Sequence, residues 1–289
     1  MIQSFHQIDE MIGAVTSWRE ASLRVALVPT MGGLHDGHLS LVEAALAHHD
    51  KVVVSIYVNP TQFAAHEDLD AYPRTMDQDV AALSAWGDKV HIFAPQTLYQ
   101  PGHATMITPE GAALPLEGVH RPHFFSGVAT VVFRLFQAVP ADCAFFGEKD
   151  FQQLAVIRQM VHDFALPIAI ESVATKRAPD GLALSSRNSY LSADERGLAP
   201  KLYEEMRRCA LAARNGQAAG KACDEACDEA QRRLQAAGFG KIDYFAFHDP
   251  QSLLPVSVPT EQSRLMVALW LGKTRLIDND SLANLCIAQ

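Results

Sequence analysis

The most informative stretch of the chain is Val28-Pro29-Thr30-Met31-Gly32-Gly33-Leu34-His35-Asp36-Gly37-His38. It follows an apolar run at residues 25–28, which is typical of a buried strand, and it precedes Leu39, Val42 and Leu46, which recur at helical spacing. The pattern predicts a strand that ends in a glycine-bearing turn, with two histidines at or just before a helix start. Free backbone N–H groups, the positive end of the helix dipole and the histidine donors together suit a polyphosphate.

Two other interpretations of this histidine pair stay open at this point. His35 and His38 are also compatible with a fragment of a metal site or with ordinary surface histidines. A zinc site needs a third ligand, and the sequence contains no His-Glu-x-x-His motif and no paired Cys-x-x-Cys pattern. Nucleotide binding therefore depends on corroborating motifs elsewhere in the chain.

Bulk composition excludes several classes of protein. The chain has 289 residues, 48% of them hydrophobic, which is typical of a globular protein and long enough for two domains. Its formal net charge of −9 argues against nucleic-acid binding, which usually requires a basic face. The sequence has no signal-peptide pattern at its start and no apolar run long enough to span a membrane. A cytoplasmic enzyme with no membrane partner is the expectation.

The five cysteines indicate reduced thiols rather than a disulfide framework. They are odd in number and scattered along the chain. Cys223 and Cys227 lie four residues apart in a helical pattern, but no other ligand is spaced to complete a metal site with them. Packing is the expected role of this pair.

Strand and helix patterns alternate over the first two-thirds of the chain. Apolar runs typical of strands lie at residues 25–28, 52–58, 90–93, 143–146 and 168–173. Helical periodicity marks residues 128–139 and 154–164 between them. The alternation predicts an α/β fold, a Rossmann-like parallel sheet with helices on both faces, in which ligands bind beyond the carboxyl ends of the strands.

The composition changes after about residue 188. Residues 193–238 are rich in Ala, Glu, Arg and Leu and predict two helices broken around Asn215-Gly216. Short β-type runs follow at 242–247, 265–271 and 274–277. We therefore predict a Rossmann-like domain at 1–178 and a smaller α+β domain with antiparallel strands, acting as a lid, at 179–289.

Three further polar motifs lie after strands or in the expected linker. Gln62 follows the second strand, and its amide suits a ligand with hydroxyl and carboxylate groups. Gly147 and Lys149 follow the fourth strand, where glycine permits close approach and lysine supplies a cation for phosphate. The loop at 176–188 carries Ser-Ser-Arg, a donor cluster for phosphate oxygens. A nucleophilic serine is not expected, because no Gly-x-Ser-x-Gly elbow surrounds this pair.

These motifs together resemble the pantoate–β-alanine ligases (pantothenate synthetases), members of the His-x-Gly-His nucleotidylyl transferases. They occur in that family's order and at its spacing, so the resemblance covers essentially the whole chain. The matching segments are 29–38, Val58-Asn59-Pro60-Thr61-Gln62-Phe63, Tyr72-Pro73-Arg74-Thr75, 146–153, 180–188 and Arg275-Leu276-Ile277-Asp278-Asn279.

The resemblance implies a two-step reaction with ATP as co-substrate and Mg²⁺. The carboxylate of pantoate attacks the α-phosphate of ATP to give pantoyl adenylate and pyrophosphate. The amine of β-alanine then attacks the acyl carbon and releases AMP and pantothenate. The resemblance also implies a homodimer whose partners are otherwise small molecules.

The resemblance further implies roles for individual residues. His35, His38 and Lys149 are implied to act on the phosphates as catalytic groups. Gln62 and Gln153 are implied to hold pantoate, with Gln62 and the neighbourhood of Asn59 near β-alanine, and Asp79 is implied to help hold Mg²⁺. The implied ATP contacts are Met31, Gly32, Gly33, Leu34, His35, Asp36, Gly37, His38, Gly147, Glu148, Lys149, Asp150, Lys176, Leu184, Ser185, Ser186 and Arg187.

One position departs from the family pattern, and three other functions compete with the ligase. Phe124 stands where the family usually has a histidine, so a polar contact on the pantoate side is in question.

The first motif is shared with other His-x-Gly-His nucleotidylyl transferases and with class I aminoacyl-tRNA synthetases, but no Lys-Met-Ser-Lys-Ser-like loop or RNA-binding domain is recognisable. A non-catalytic nucleotide-binding module would not explain why amide-bearing and phosphate-binding motifs follow successive strands.

Overall fold

The computed structural model describes residues 2–64, 67–217 and 223–287, which form two compact units. The first unit comprises Met1–Glu148 and Gln152–Ala174, and the second comprises Lys149–Phe151 and Thr175–Gln289. The second unit therefore begins slightly before residue 179, the predicted boundary, and it includes the short Lys149–Phe151 segment that sequence analysis assigned to the first domain.

A six-stranded parallel sheet forms the centre of the first unit and confirms the predicted α/β class. Five of its strands coincide with the five apolar runs. The four inner ones are buried along most of their length, as strands covered on both faces are, whereas the strand at Ala169–Val173 lies at an edge and is only partly buried. The edge strand at Gln3–Phe5 was missed, since it is only three residues long and only Phe5 in it is buried. The strands are β1 (Gln3–Phe5), β2 (Val25–Thr30), β3 (Lys51–Ile56), β4 (Val90–Phe93), β5 (Cys143–Gly147) and β6 (Ala169–Val173).

The strand order β1-β4-β3-β2-β5-β6 places β2 between β3 and β5. The chain therefore proceeds in opposite directions across the sheet on either side of β2, which makes the carboxyl end of β2 a topological switch point. The histidine-bearing turn follows β2 directly, the Asn59–Gln62 segment follows β3, and Gly147 ends β5. Since all strands are parallel, these three segments lie at the same edge of the sheet.

Helices of the first unit pack around this sheet. The most apolar of them has Val128, Val131, Val132, Leu135 and Phe136 buried, as its periodicity predicted. The predicted pattern in the next helix ends one residue too late, because Phe164 lies beyond the helix and is exposed. The helices are α1 (Ile8–Glu20), α2 (Asp36–Leu46), α3 (Met76–Leu83), α4 (Glu117–His120), α5 (Phe124–Ala138) and α6 (Phe151–Asp163, whose first residue belongs to the second unit).

The second unit contains a three-stranded antiparallel sheet, as predicted, in the order β7-β8-β9. Its two long helices are also as predicted, although the first continues through Asn215-Gly216 to Gln217, because a single glycine is tolerated inside a helix. A separate short helix before them was not predicted, and it ends at Leu198, two residues before Pro200, which has no backbone N–H to continue the helical hydrogen bonds. The elements are α7 (Ala193–Leu198), α8 (Lys201–Gln217), α9 (Asp224–Ala237), β7 (Ile242–His248), β8 (Arg264–Leu271), β9 (Thr274–Ser281) and α10 (Leu282–Leu285).

The cysteines of the second unit pack in its core, as expected. Cys223 and Cys227 are buried, and the Sγ atom of Cys227 lies 3.7 Å from that of Cys209. In the part of the chain that the structure describes, no helix has both the length and the apolar character needed to cross a bilayer.

His91 on β4 predicts a dependence of stability on pH. It is 6% exposed and its ring lies 4.4 Å from that of Trp18. Burial, and secondarily the charge of Lys51, lowers the pKa of His91 to about 4. Because the unfolded chain takes up this proton near pH 6.5 and the folded chain does not, stability is full above that pH and is lost as the pH falls toward 4.

We expect His91→Phe to remove this loss. The free energy of unfolding of the unmodified chain and of the variant is measured with denaturant at about pH 7.5 and about pH 4.5. The unmodified chain should lose about 2 kcal/mol more between the two pH values than the variant does. Equal losses in the two proteins would show that the imidazole is not protonated on unfolding.

Candidate active site

The turn after β2 requires glycine at two consecutive positions. Gly32 and Gly33 have φ values of +83° and +61°, in the left-handed region that disfavours side chains. A Cβ atom on Gly32 would also lie 3.1 Å from both Oδ2 of Asp79 and Cγ2 of Ile56. The turn therefore brings main chain, rather than side chains, to the switch point.

His35 and His38 accept hydrogen bonds through the same ring atom. His35 caps α2, and its Nδ1 accepts from the backbone N–H of Gly37 at 3.1 Å. The Nδ1 of His38 accepts from the backbone N–H of His35 at 3.3 Å. An imidazole that accepts at Nδ1 carries its proton on Nε2. The backbone therefore fixes both rings as Nε2–H donors at the N-terminus of a helix, an arrangement suited to phosphate oxygens.

Asp79 on α3 holds the same turn. Its carboxylate accepts from the N–H groups of Gly33 at 3.1 Å and Leu34 at 2.8 Å, and from Oγ1 of Thr75 at 3.2 Å. The residue is 2% exposed. Both oxygens of Asp79 are therefore engaged with the protein. The described residues also contain no group of three or more His, Cys, Asp or Glu able to hold a metal ion.

The carboxylate therefore orders the main chain that precedes the two histidines. A role for Asp79 in holding Mg²⁺ stays a prediction.

The segment after β3 presents Gln62 through a buried amide network. Asn59 is fully buried, and its Nδ2 donates to Oε1 of Gln62 at 3.1 Å and to the carbonyl of Gly127 at 3.2 Å. Its Oδ1 accepts from the hydroxyl of Tyr99 at 2.9 Å. Burial raises the pKa of Tyr99, so the phenol stays a donor. Asn59 is therefore placed to orient Gln62, whose Nε2 has no acceptor among the described residues.

Neighbouring glutamines on α6 have different environments. Gln152 is 4% exposed, and its side chain accepts from the N–H of Glu117 and donates to the carbonyls of Ala112 and Pro115. The side chain of Gln153 has no hydrogen-bond partner within the described part of the chain. The predicted pantoate residues Gln62 and Gln153 are thus two amides that keep hydrogen-bonding capacity for a ligand.

Arg121 supports this segment and was missed by sequence reasoning. Its guanidinium donates to both carboxylate oxygens of Glu67 at 2.7 Å and to the carbonyl of Gln62 at 3.2 Å. Burial raises the pKa of Glu67, but Arg121 outweighs it and holds that pKa below its usual value. The sequence offered one signal for Arg121: it lies three residues before Phe124, the position that departs from the family pattern. In the structure, the guanidinium of Arg121 lies 3.9 Å from the ring centroid of Phe124.

The segment after β5 belongs to both units. In the first unit, a Cβ atom on Gly147 would meet nothing within 4 Å, so packing does not demand glycine there, and Oε1 of Glu148 accepts from Ser172 at 3.3 Å. In the second unit, Nζ of Lys149 lies 3.6 Å from Oδ1 of Asp150, and its side chain is 18% exposed. Lys149 is therefore a partly accessible cation.

The loop at 176–187 lies in the second unit and is closed at its base. Arg177 pairs with Ala183 through an isolated β-bridge, and the N–H of Leu184 donates to the carbonyl of Lys176 at 3.0 Å. Ser185 caps a short 3-10 helix by accepting from the N–H of Arg187 at 3.3 Å. The predicted ATP residues of this loop, Lys176, Leu184, Ser185, Ser186 and Arg187, are thus brought together.

Comparison with known proteins identifies the family of this chain. The family model described as pantoate-beta-alanine ligase matches residues 3–281. The chain belongs to this family. A pantothenate synthetase from Caulobacter vibrioides is 48% identical over 277 residues, covering 94% of this chain and 95% of the relative. Another from Rhizorhabdus wittichii is 49% identical over 281 residues, covering 96% and 98%.

Solved structures of the family agree. A pantothenate synthetase from Thermus thermophilus is 42% identical, with a TM-score of 0.86, over 97% of this chain and 99% of that one. The pantoate-beta-alanine ligase from Francisella tularensis, solved with beta-gamma ATP and beta-alanine, is 32% identical, with a TM-score of 0.83, over 98% of both chains. The family and the fold predicted from the motifs are confirmed.

Proposed function

We propose that this chain catalyses the ATP-dependent condensation of pantoate with β-alanine to pantothenate, through a pantoyl adenylate, with release of AMP and pyrophosphate. Family membership and the names of the relatives support the reaction. The observation that carries it is the pairing, at one edge of the parallel sheet, of two Nε2–H imidazole donors with amides that keep hydrogen-bonding capacity. The donors suit a phosphate, and the amides suit a small hydroxy acid.

In the first step, a carboxylate oxygen of pantoate attacks the α-phosphorus of ATP, and the bond to the pyrophosphate oxygen breaks. His35 and His38 donate Nε2–H to phosphate oxygens, where negative charge grows in the transition state. The main chain of Met31 to Leu34 and the first turn of α2 (Asp36, Gly37) frame the nucleotide, and Gln62 and Gln153 orient pantoate. Positioning and charge stabilisation supply the acceleration, so no covalent protein intermediate is needed.

The remaining predicted ATP residues are proposed to bind the triphosphate and adenine. The ammonium of Lys149 neutralises phosphate charge, and Ser185, Ser186 and Arg187 donate to the triphosphate. Leu184 closes on the triphosphate beside them, the main chain near Lys176 contacts adenine, and Gly147, Glu148 and Asp150 complete the ATP contacts. Magnesium, when bound to ATP, neutralises phosphate charge, and its protein ligands stay a prediction.

In the second step, the neutral amine of β-alanine attacks the acyl carbon of the adenylate. The C–O bond to AMP breaks, AMP leaves with the electron pair, and the new amide loses the extra amine proton to solvent. An acyl adenylate hydrolyses when water reaches it, so closure of the site protects the intermediate.

We also propose that the chain forms a homodimer. Sedimentation equilibrium tests this, and the mass of a single chain would contradict it.

The experiment that tests the function is an omission assay for AMP. The purified chain should release AMP from ATP at a steady rate only when pantoate and β-alanine are both present. ATP binding without any turnover would favour a nucleotide-binding module instead. Transfer of AMP to a different acceptor would favour another nucleotidylyl transferase.

A further inference from the structure

Two adjacent residues of β9 are polar, buried and without a role in the proposal above. Asp278 and Asn279 are 3% and 2% exposed. They end the segment Arg275–Asn279, one of the motifs that resemble the ligase family, and the residue types alone do not indicate a chemical role for it. Their partners in the second unit are two segments predicted to bind ATP.

Asn279 holds the main chain at Lys149. Its Nδ2 donates to the carbonyl oxygen of Lys149 at 2.8 Å. Its Oδ1 accepts from Nη1 of Arg264 at 2.9 Å. A guanidinium only donates, so Arg264 fixes which end of the amide faces it and leaves the donor end toward Lys149. The guanidinium of Arg264 also lies 4.1 Å from the ring centroid of Phe151, two residues farther along.

Asp278 holds the base of the 176–187 loop. Its carboxylate makes a bidentate pair with Arg177, with N–O distances of 2.6 and 2.9 Å. The bidentate geometry fixes direction as well as distance. Arg177 is the residue that pairs with Ala183 and follows Lys176, whose carbonyl accepts from Leu184. The ion pair therefore holds Arg177 in place at the base of the loop.

We infer that Asp278 and Asn279 are positioning residues for ATP: adjacent side chains on one strand set the main chain of Lys149 and that of the 176–187 loop. The inference rests on the proposed function, because it assigns the pair to residues that act on ATP. A displacement of about 1 Å in a catalytic group is enough to cost on the order of 10²-fold in rate. Neither side chain needs to touch the nucleotide to matter for adenylation.

The test is a double-mutant cycle on the full chain. Asn279→Ala should lower the rate of pantoyl adenylate formation about 10–100-fold. The same change in a Lys149→Ala background should lower it less than about twofold, because the group that Asn279 positions is already absent. ATP affinity, measured by titration calorimetry without pantoate, should follow the same pattern. A general structural role predicts equal losses in both backgrounds.

Glu205→Gln is the matched control. Glu205 is 8% exposed in the same unit and accepts from Arg208 and Arg233, so its loss should lower the melting temperature without changing the adenylation rate. If Asn279→Ala does not fold, Asn279→Asp keeps the acceptor for Arg264, loses the donor to Lys149 and gives the same readout.

Two results would overturn the inference: a rate for the Asn279 variant within about twofold of the unmodified chain, or equal losses with and without Lys149. If the unmodified chain shows no pantoate-dependent adenylation, the proposed function fails instead, so the two failures are distinguishable.

Discussion

Replacing His38 by alanine is expected to lower the rate of pantoyl adenylate formation by about 10²–10³-fold, the scale of losing one well-aimed donor to a developing charge. The backbone of His35 occupies Nδ1 of this ring, so the proton lies on Nε2, where a phosphate oxygen accepts it. Rapid-quench measurement of a single turnover, with enzyme in excess over ATP, reports this step directly.

Two further variants separate the donor from the helix cap. His38→Asn keeps an acceptor near Nδ1 but has no donor at the Nε2 position, and it should be about as slow as the alanine variant. His38→Gln retains an amide donor near Nε2 and should recover part of the rate. His48→Ala, at an exposed position just beyond the same helix, is the control and should leave the rate unchanged. Near-normal adenylation in the alanine variant would contradict the role of His38.

The second large effect is expected for Lys149. Lys149→Met keeps most of the stem and removes the charge, so it should slow adenylation by about 10²–10³-fold while the melting temperature stays close to that of the unmodified chain. Pre-steady-state adenylation and thermal unfolding are measured on the same preparation. The exposed Lys273→Met, in the turn between β8 and β9, is the control for loss of one cation.

A change confined to protein stability would assign Lys149 a structural role. The geometry argues for chemistry, because its carbonyl, rather than its side chain, makes the hydrogen bond that joins it to β9. The ammonium has only the carboxylate of Asp150, at 3.6 Å, as its ion-pair partner in the described part of the chain.

Local features of the site could be read from the sequence. Short apolar runs, bounded by polar turns, are sufficient to predict buried parallel strands. The placement of His35 and His38 at the junction of β2 and α2 follows from glycine, histidine and helical periodicity within one short stretch. The edge strand β1 and the short helix before Pro200 were missed, because short elements carry too little periodicity to be recognised.

Contacts between distant parts of the chain could not be read in this way. Asp79 lies 45 residues from Leu34 in sequence, and an acidic stretch gives no sign that its carboxylate faces a glycine turn. Asn279 lies 130 residues from Lys149, and Arg121 lies 59 residues from Gln62.

The glutamine pair shows the same limit on a smaller scale. Gln152 and Gln153 are chemically identical neighbours, and only the direction in which each leaves α6 decides which is saturated by the protein and which keeps its amide for a ligand.

Exchange of labelled pyrophosphate into ATP without β-alanine shows whether the chain activates pantoate as an acyl adenylate. Reversal of adenylation returns the label to ATP, so we expect exchange that requires pantoate and is lost in the His38→Ala variant. Exchange that proceeds equally well without pantoate, or AMP formation from all three substrates with no pantoate-dependent exchange, would contradict it.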